Sequence, residues 1–406
     1  MTEKLYYRDV YQKEFDAVVT KSAQGRDGWH IYVDRSAFFP EGGGQSGDRG
    51  WLTCSGRSGT ADAGREDSRI EVLDTQEDGD DIYLVCGEEI PAGTSVHGTL
   101  DWQFRFDRMQ NHSGEHIVSG IIHRRYGYQN VGFHMSADRM TIDLSGEIDD
   151  QALAGIEREA NGIVWKNVPV HTDVYTEEEA ESVEFRSKKE LHGIIRVVTI
   201  PGADVCACCG THVTRTGEIG PIRLISHERI RGGIRIEMMC GRWAYEYMSA
   251  VFAQNHLVSG LVSAKPLETA AGVQKVLDSQ NSLKAELLKK RYDEIGQTAL
   301  RLKGKGPVLI FAKDYDPVLV QKLAAKVMET CGGLAAVMSG DEENGYHYAI
   351  GETGGDLKEL VKDMNKALSG RGGGRPYFQQ GSLKGRRSQI KEYLKGRVDG
   401  ILVEDV

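Results

Sequence analysis

The period of apolar and polar positions changes several times along the chain. Residues 29–39, 81–86 and 95–106 alternate or cluster β-branched and aromatic residues between Gly- and Asp-rich turns, which predicts short strands. Short strands with regular glycine punctuation suggest a small β-barrel over residues 1–104. From Asp107 to about Trp243 the two periods mix. Residues 109–126 and 150–166 predict helices, and 168–175, 194–200, 221–225 and 234–239 predict strands, so 105–244 reads as an α+β domain. Residues 245–302 are mostly helical with a break near Pro266, within a helical segment 245–305. There Leu288, Tyr292, Ile295, Ala299 and Leu302 step by four and three. That stripe is too short for a long coiled coil; it suits a packed hairpin, a dimer seam, or a helix burying one face. Past Gly306, strands at 307–312, 334–338 and 346–351 alternate with helices at 317–329, 356–368 and 383–394, a compact α/β domain over 306–406. The fold class expected is multi-domain α+β, with no internal repeat.

Composition supports this division. A chain of 406 residues with 40% hydrophobic and 27% charged residues can build two or three cores. Its 49 glycines follow no collagen period, and no apolar run reaches the roughly 18 residues of a membrane helix. The first residues carry no apolar signal core, and the odd count of seven cysteines, three of them in Cys206-Ala-Cys208-Cys209, suits a reducing compartment. A cytoplasmic protein is expected. The net charge of −10 argues against a nucleic-acid partner until its distribution is considered. Residues 366–397 hold nine Lys or Arg against the single acid Glu392. Such a stretch can grip phosphates or simply form a solvated helix face, and charge alone leaves both open.

Two clusters carry metal chemistry. His112-Ser-Gly-Glu115-His116 falls in a predicted helix, where an i,i+4 pair puts both imidazoles on one face. Cys208-Cys-Gly-Thr-His212 supplies a thiolate and a third imidazole at the same spacing, with Gly210 permitting a tight bend. Three nitrogens and one sulfur suit a tetrahedral, borderline-soft ion, with Zn2+ the default. Cys206 and Cys209 compete as thiolates, and inert buried histidines and thiols are the bland alternative. His112-x-x-Glu115-His116 also fits an inverted zinc-protease pattern with Glu115 as base, but thiolate ligands disfavour a hydrolytic protease.

Two Gly-rich segments follow. Phe38-Phe-Pro-Glu-Gly42-Gly43-Gly44-Gln45-Ser-Gly-Asp48 comes after a predicted strand and exposes backbone N–H groups beside the Gln45 amide. No Lys-Ser/Thr follows, so it is no P-loop; a surface hairpin is the alternative. Arg371-Gly-Gly373-Gly374-Arg375-Pro-Tyr-Phe-Gln-Gln-Gly381 interleaves arginines and aromatics in a manner suited to a phosphodiester or an unpaired base.

In this order, the motifs resemble the editing domain of alanyl-tRNA synthetase and its free-standing relatives. The Gly42–Gln45 segment resembles the barrel before that domain, Arg231-Gly-Gly-Ile-Arg235-Ile-Glu237 resembles the segment closing it, and the region around Arg375 resembles the synthetase's C-terminal domain. The resemblance spans essentially the whole chain. Because the barrel begins within the first residues, the match is to the long, trans-acting alanyl-tRNA editing proteins.

The resemblance implies an aminoacyl-tRNA hydrolase that cleaves serine or glycine from mischarged alanine tRNA. It implies Zn2+ on His112, His116, Cys208 and His212, and a catalytic Gln45, beside which Glu115 is a candidate proton acceptor. Ser36, Gly43, Gly44 and Gln45 would meet the substrate, with the Ser36 hydroxyl reading that of a mischarged serine. Arg371, Gly373, Gly374, Arg375, Arg386 and Arg387 would hold RNA. A homodimer through the helical region is a secondary expectation; neither a membrane nor a nucleotide cofactor is expected. The competing reading is a non-catalytic tRNA-binding protein with a structural zinc. A phosphoesterase is set aside because the chain has no Asp-His-His tripeptide.

Overall fold

The structure is a computed structural model that describes residues 1–54, 69–136, 138–187 and 192–406. It is a mixed α/β protein with several sheets and, among the described residues, eight α-helices. No helix of these is long and apolar enough to cross a membrane. The chain divides into two compact units, Met1–Asn255 and His256–Val406.

In the first unit a short parallel pair, β1 (Glu3–Lys4) with β4 (Arg35–Ser36), accompanies six longer strands. These are β2 (Glu14–Gln24), β3 (Trp29–Val33), β5 (Gly50–Cys54), β6 (Arg69–Asp78), β7 (Asp81–Cys86) and β8 (Ser95–Leu100). They pair in the order β2-β3-β7-β6-β5-β8, and β8 pairs back to β2, so the cycle closes into a barrel. Alternation fills it: Phe15, Ala17 and Val19 of β2 are buried with Leu52, Ile82 and Leu84 while their neighbours face out. The expected strand 95–106 stops at Leu100. Asp101 accepts the Phe104 amide on Oδ1 at 3.1 Å and starts a helix, α1 (Trp102–Tyr126), seven residues before the apolar period suggests one.

Beyond α1 come β9 (Asn130–Met135), β10 (Met140–Leu144), α2 (Asp150–Lys166), β11 (His171–Thr176), the single turn α3 (Glu177–Ala180), β12 (Ile194–Ile200), β13 (Asp204–Ala207), β14 (Ile222–Ile230) and β15 (Gly233–Cys240). One antiparallel sheet runs β14-β15-β10-β9 and a smaller one runs β11-β12-β13. Helices α1 and α2 bury Ile117, Ile121, Ile156 and Ile163 with Ile142, Ile236 and Met238 of the larger sheet. Gly114 permits the close fit, since a Cβ there would lie 2.2 Å from Cys240 Sγ. Helix α4 (Gly241–Leu261) then runs across the boundary of the two units.

The second unit opens with α5 (Thr269–Arg301) and continues through β16 (Val308–Ala312), α6 (Pro317–Met328), β17 (Ala335–Asp341), β18 (Gly345–Gly351), α7 (Lys358–Ala367), β19 (Arg371–Arg375), β20 (Phe378–Leu383), α8 (Arg387–Lys395) and β21 (Leu402–Asp405). Its sheet order is β19-β20-β18-β17-β16-β21. All five residues of β16 are buried because helices cover both faces: Val308 and Ile310 pack towards α6, Leu309 and Phe311 towards α7 and α8. The apolar stripe of α5 splits accordingly. Ile295, Ala299 and Leu302 enter this core, whereas Leu288 and Tyr292 stay exposed.

Candidate metal centre

The middle of α1 is buried on every side, yet it carries Asn111, His112, Ser113, Glu115, His116 and Ser119. Buried polar groups must be hydrogen-bonded, and the partners found here define a site. His112 and His116 project on one face towards the loop after β13, which brings Cys208 and His212 against them. One donor atom from each of the four lies within 4.8 Å of the others. Cys208 Sγ is 3.4 Å from both His112 Nε2 and His212 Nε2. A donor set of three imidazoles and a thiolate suits a borderline-soft divalent cation.

The other ring nitrogens are all held. His112 Nδ1 lies 3.0 Å from Gln45 Oε1, His116 Nδ1 lies 2.9 Å from Asp204 Oδ2, and His212 Nδ1 lies 3.2 Å from Ser113 Oγ. These contacts orient each ring with Nε2 towards the common centre, the supporting arrangement that metal-binding histidines need. Asp204 is held in turn by Arg186, whose Nε and Nη2 each donate at 2.7 Å. The Cys208 thiolate accepts the Gly210 amide at 3.3 Å. Gly210 is required for close approach: a Cβ there would sit 2.2 Å from His112 Cε1. The chain bends at Gly210 as expected, but without a positive φ, so the close approach to His112 is what calls for glycine here.

Electrostatics favour a cation. Burial alone would raise the Cys208 thiol, but the His112 and His212 imidazoles beside it pull it well below its ordinary value. Burial pushes the His212 imidazole down to about 3, so it stays neutral and able to donate a lone pair. Burial opposes the Asp204 charge, yet hydrogen bonds from His116 and Arg186 outweigh it and bring the carboxyl down to about 2.

Of the competing thiols, Cys209 is exposed and joins no metal-binding cluster among the described residues. Cys206 is buried near His116 and Asp204 in a second group of three. Gln45 is fully buried and bridges both halves of the quartet: Oε1 faces His112 and accepts the Thr211 amide at 3.2 Å, while Nε2 donates to Thr211 Oγ1 at 2.8 Å. The Gly-rich loop is a tight hairpin turn, with Gly42 and Gln45 paired, that the buried Gln45 side chain anchors to the quartet. Gly44 has a left-handed φ of 89°, and a Cβ there would meet the Phe133 ring at 2.5 Å.

A cavity of about 260 Å3 opens beside the quartet, lined by His112, His116 and Cys208 together with Gly43, Glu115 and Arg196. Ser36 is not among its lining residues. Its buried hydroxyl instead accepts the Phe38 amide at 3.0 Å, a local turn bond. Glu115 Oε1 accepts from Ser119 Oγ at 2.6 Å and from Asn130 Nδ2.

In the second unit, Arg371, Gly373 and Gly374 form the exposed edge strand β19 and border an open cleft of about 590 Å3 with Lys358 and Lys362. Arg375, Arg386 and Arg387 lie outside that cleft. Arg375 Nη1 donates to Tyr377 Oη at 3.0 Å, and Arg387 pairs with Asp405. Sequence reasoning missed Asp204, Arg186, Thr211, Arg196 and Asn130. The available signal was Asp204, a lone acid in an apolar run four residues before Cys208, since a buried charge demands partners.

Comparisons with known proteins place these features in a class. The threonyl and alanyl tRNA synthetase second additional domain matches residues 195–237, which include Cys208 and His212, and the DHHA1 domain matches residues 304–399. Over the whole chain it is similar to the alanyl-tRNA editing protein AlaX-L of Pyrococcus horikoshii, at 27% identity covering 96% of each chain. It is 30% identical to the alanine–tRNA ligase of Methanothrix thermoacetophila over 94% of this chain, and 35% identical to that of Metallosphaera sedula over 59%. It spans 42% and 26% of those two ligases, against nearly all of the editing protein. The resemblance drawn from the motifs is borne out.

Proposed function

We propose that this protein is a trans-acting aminoacyl-tRNA deacylase that hydrolyses serine or glycine from alanine tRNA, with Zn2+ on His112, His116, Cys208 and His212. The observation that carries it is the quartet itself, with the Nδ1 atom of every histidine held and a cavity beside it. A tetrahedral zinc with bonds of about 2.05 Å to nitrogen and about 2.3 Å to sulfur separates those atoms by about 3.6 Å. The observed 3.4 Å fits that span. Such an ion supplies charge to polarise the ester carbonyl or to acidify a water.

The need for a second site follows from energetics. An alanine pocket gains only about 1–3 kcal/mol of discrimination against glycine or against one added hydroxyl. In the hydrolysis a water oxygen bonds to the ester carbonyl carbon, the bond from that carbon to the ribose oxygen breaks, and the ribose oxygen takes a proton. The protein's residues prepare this step. Gln45, Ser113 and Asp204 hold the imidazoles, and the cavity admits the acyl group. Glu115, at its wall, is the carboxylate that bears on the reacting atoms. Arg371, Gly373, Gly374 and the lysines beside them would hold the tRNA by its phosphates, and Arg375, Arg386 and Arg387 would extend that surface. The half of the α5 stripe left exposed would seat a second copy. A protein acting on tRNA in this way works in the cytoplasm.

Four protein ligands close a tetrahedral ion, which favours the alternative of a structural zinc in a tRNA-binding protein. One experiment separates the two: hydrolysis of alanine tRNA charged with serine, with correctly charged tRNA as control, by wild type and Cys208→Ala. Rapid loss of serine, sparing of alanine and an inactive variant are expected. Tight tRNA binding and full zinc occupancy without hydrolysis would establish the alternative.

A further inference from the structure

We propose that Glu115 is the receptor for the substrate's α-ammonium group, and so the residue by which the site recognises an aminoacyl ester rather than any ester. This rests on the deacylase reading above. Among the described residues lining the cavity beside the quartet, Glu115 is the single carboxylate. Arg186 and Arg196 line the same space. Arg186 is committed to Asp204, and Arg196 Nη1 donates to the carbonyls of Cys208 at 3.0 Å and Gly210 at 2.7 Å. An ammonium entering a cavity bordered by two guanidinium groups and a cation site is repelled unless a negative group stands within it.

Geometry puts the carboxylate in the right place. Glu115 is buried, its Oε1 is fixed by Ser119 and Asn130, and its Oε2 lies 4.0 Å from His116 Nε2, the atom facing the metal centre. In an aminoacyl ester the ammonium nitrogen is about 2.5 Å from the carbonyl carbon, two covalent bonds away. A carbonyl at the metal centre therefore carries its ammonium into the region Glu115 borders. Asn130 and Ser119 act through Glu115 as positioning residues.

The test uses zinc-loaded full-length protein and two substrates: alanine tRNA esterified with serine, and the same tRNA after nitrous acid deamination, which replaces the α-ammonium by a hydroxyl of similar size. Each kcat/KM is divided by the ester's spontaneous hydrolysis rate. Wild type should prefer the amino ester by roughly 10- to 100-fold, the range of one charge-assisted hydrogen bond. Glu115→Gln, which keeps the side chain's shape, should lose that preference, its loss of kcat/KM on the amino ester exceeding its loss on the hydroxy ester by the same roughly 10- to 100-fold, with unchanged zinc content. Equal losses on both esters would mark Glu115 as a proton acceptor or a structural group and overturn the assignment. So would a wild-type enzyme indifferent to the ammonium, a result that needs no variant. If wild type cleaves neither ester above the spontaneous rate, the deacylase reading is refuted and the assignment falls with it.

Discussion

Replacing Asp204 by asparagine tests whether the metal centre depends on the groups behind its ligands. The substitution keeps the volume of the side chain and removes its charge. In the native site the carboxylate joins His116 Nδ1 at 2.9 Å to two N–H groups of Arg186 at 2.7 Å. An asparagine can accept from one of these partners, but its amide nitrogen would then point a donor at another donor. The His116 ring loses the acceptor that sets its tautomer, and Arg186 loses the partner of a largely buried charge. Loss of such an outer partner typically weakens metal binding by about 10- to 100-fold, or about 1.4–2.7 kcal/mol. The assay is zinc competition against a chromophoric chelator at fixed pH, with Asp27→Asn as control, because the exposed Asp27 also pairs with a histidine, His30, which is not one of the quartet. Zinc affinity within twofold of wild type would refute the reasoning that Asp204 orients His116 for a metal.

Other expectations concern the same unit. In Gly210→Ala the new Cβ would collide with His112 Cε1, displacing a ligand ring; zinc affinity should fall at least about tenfold, and full retention in the chelator assay would contradict the packing argument. Arg105→Met leaves Asp48 buried and without its cation; breaking a buried pair costs about 3–5 kcal/mol, visible in urea unfolding followed by tryptophan fluorescence, and a loss under 1 kcal/mol would disprove it. That signal reports the first unit alone, since all five tryptophans precede residue 256. In metal-free protein the Asp204 carboxyl is held near 2, below its ordinary 3.8, so its contribution of about 2 kcal/mol is complete above pH 4 and lost as pH falls towards 2. About half should be gone by pH 3; an equal acid sensitivity in Asp204→Asn would remove Asp204 as the cause.

The ligand quartet was legible because its signal is local: two i,i+4 pairs of metal-binding side chains survive any detail of folding. The start of α1 was not. Trp102, Phe104 and Phe106 alternate with Gln103 and Arg105, a period-two pattern that imitates a strand, and a single cap by Asp101 overrides it. β2 escaped notice because Ala17 dilutes its buried face, and the pairing with β3 and β8 supplies what the side chains do not. β19 is the extreme case. Three glycines have no β propensity, and Gly373 enters the sheet through backbone pairing with Gln380 alone. The predicted helix 383–394 begins only at Arg387, because Leu383 is the last rung of β20 against Tyr346. The local bond of Ser36 was not legible for a related reason: a hydroxyl can bond to its own backbone two residues on, which no spacing in the sequence marks.

The barrel is part of the candidate metal centre, and the hydrogen bonds show how. Gln45 is the only residue of the Gly-rich loop with a side chain reaching both halves of the quartet among the described bonds, and one oxygen serves His112 and the Thr211 amide together. The base of that loop is closed by Asp48, whose amide donates to the Phe39 carbonyl at 2.8 Å and whose Oδ2 accepts the Phe39 amide at 2.7 Å. Arg105, from the first turns of α1, locks onto the same Oδ2 and donates at 2.6 Å to the Ala37 carbonyl. The helix that carries His112 thus holds the loop whose glutamine orients His112. Removing the barrel would leave the Thr211 amide and His112 Nδ1 without their acceptor in a buried place, a cost of about 1–3 kcal/mol for each orphaned group. The separations of 67 and 166 positions between Gln45 and its partners matter less than the closure itself, because loop entropy grows only logarithmically with length. A site assembled this way exists only when the whole first unit is folded, which confines any hydrolysis of the labile ester bond to the native protein.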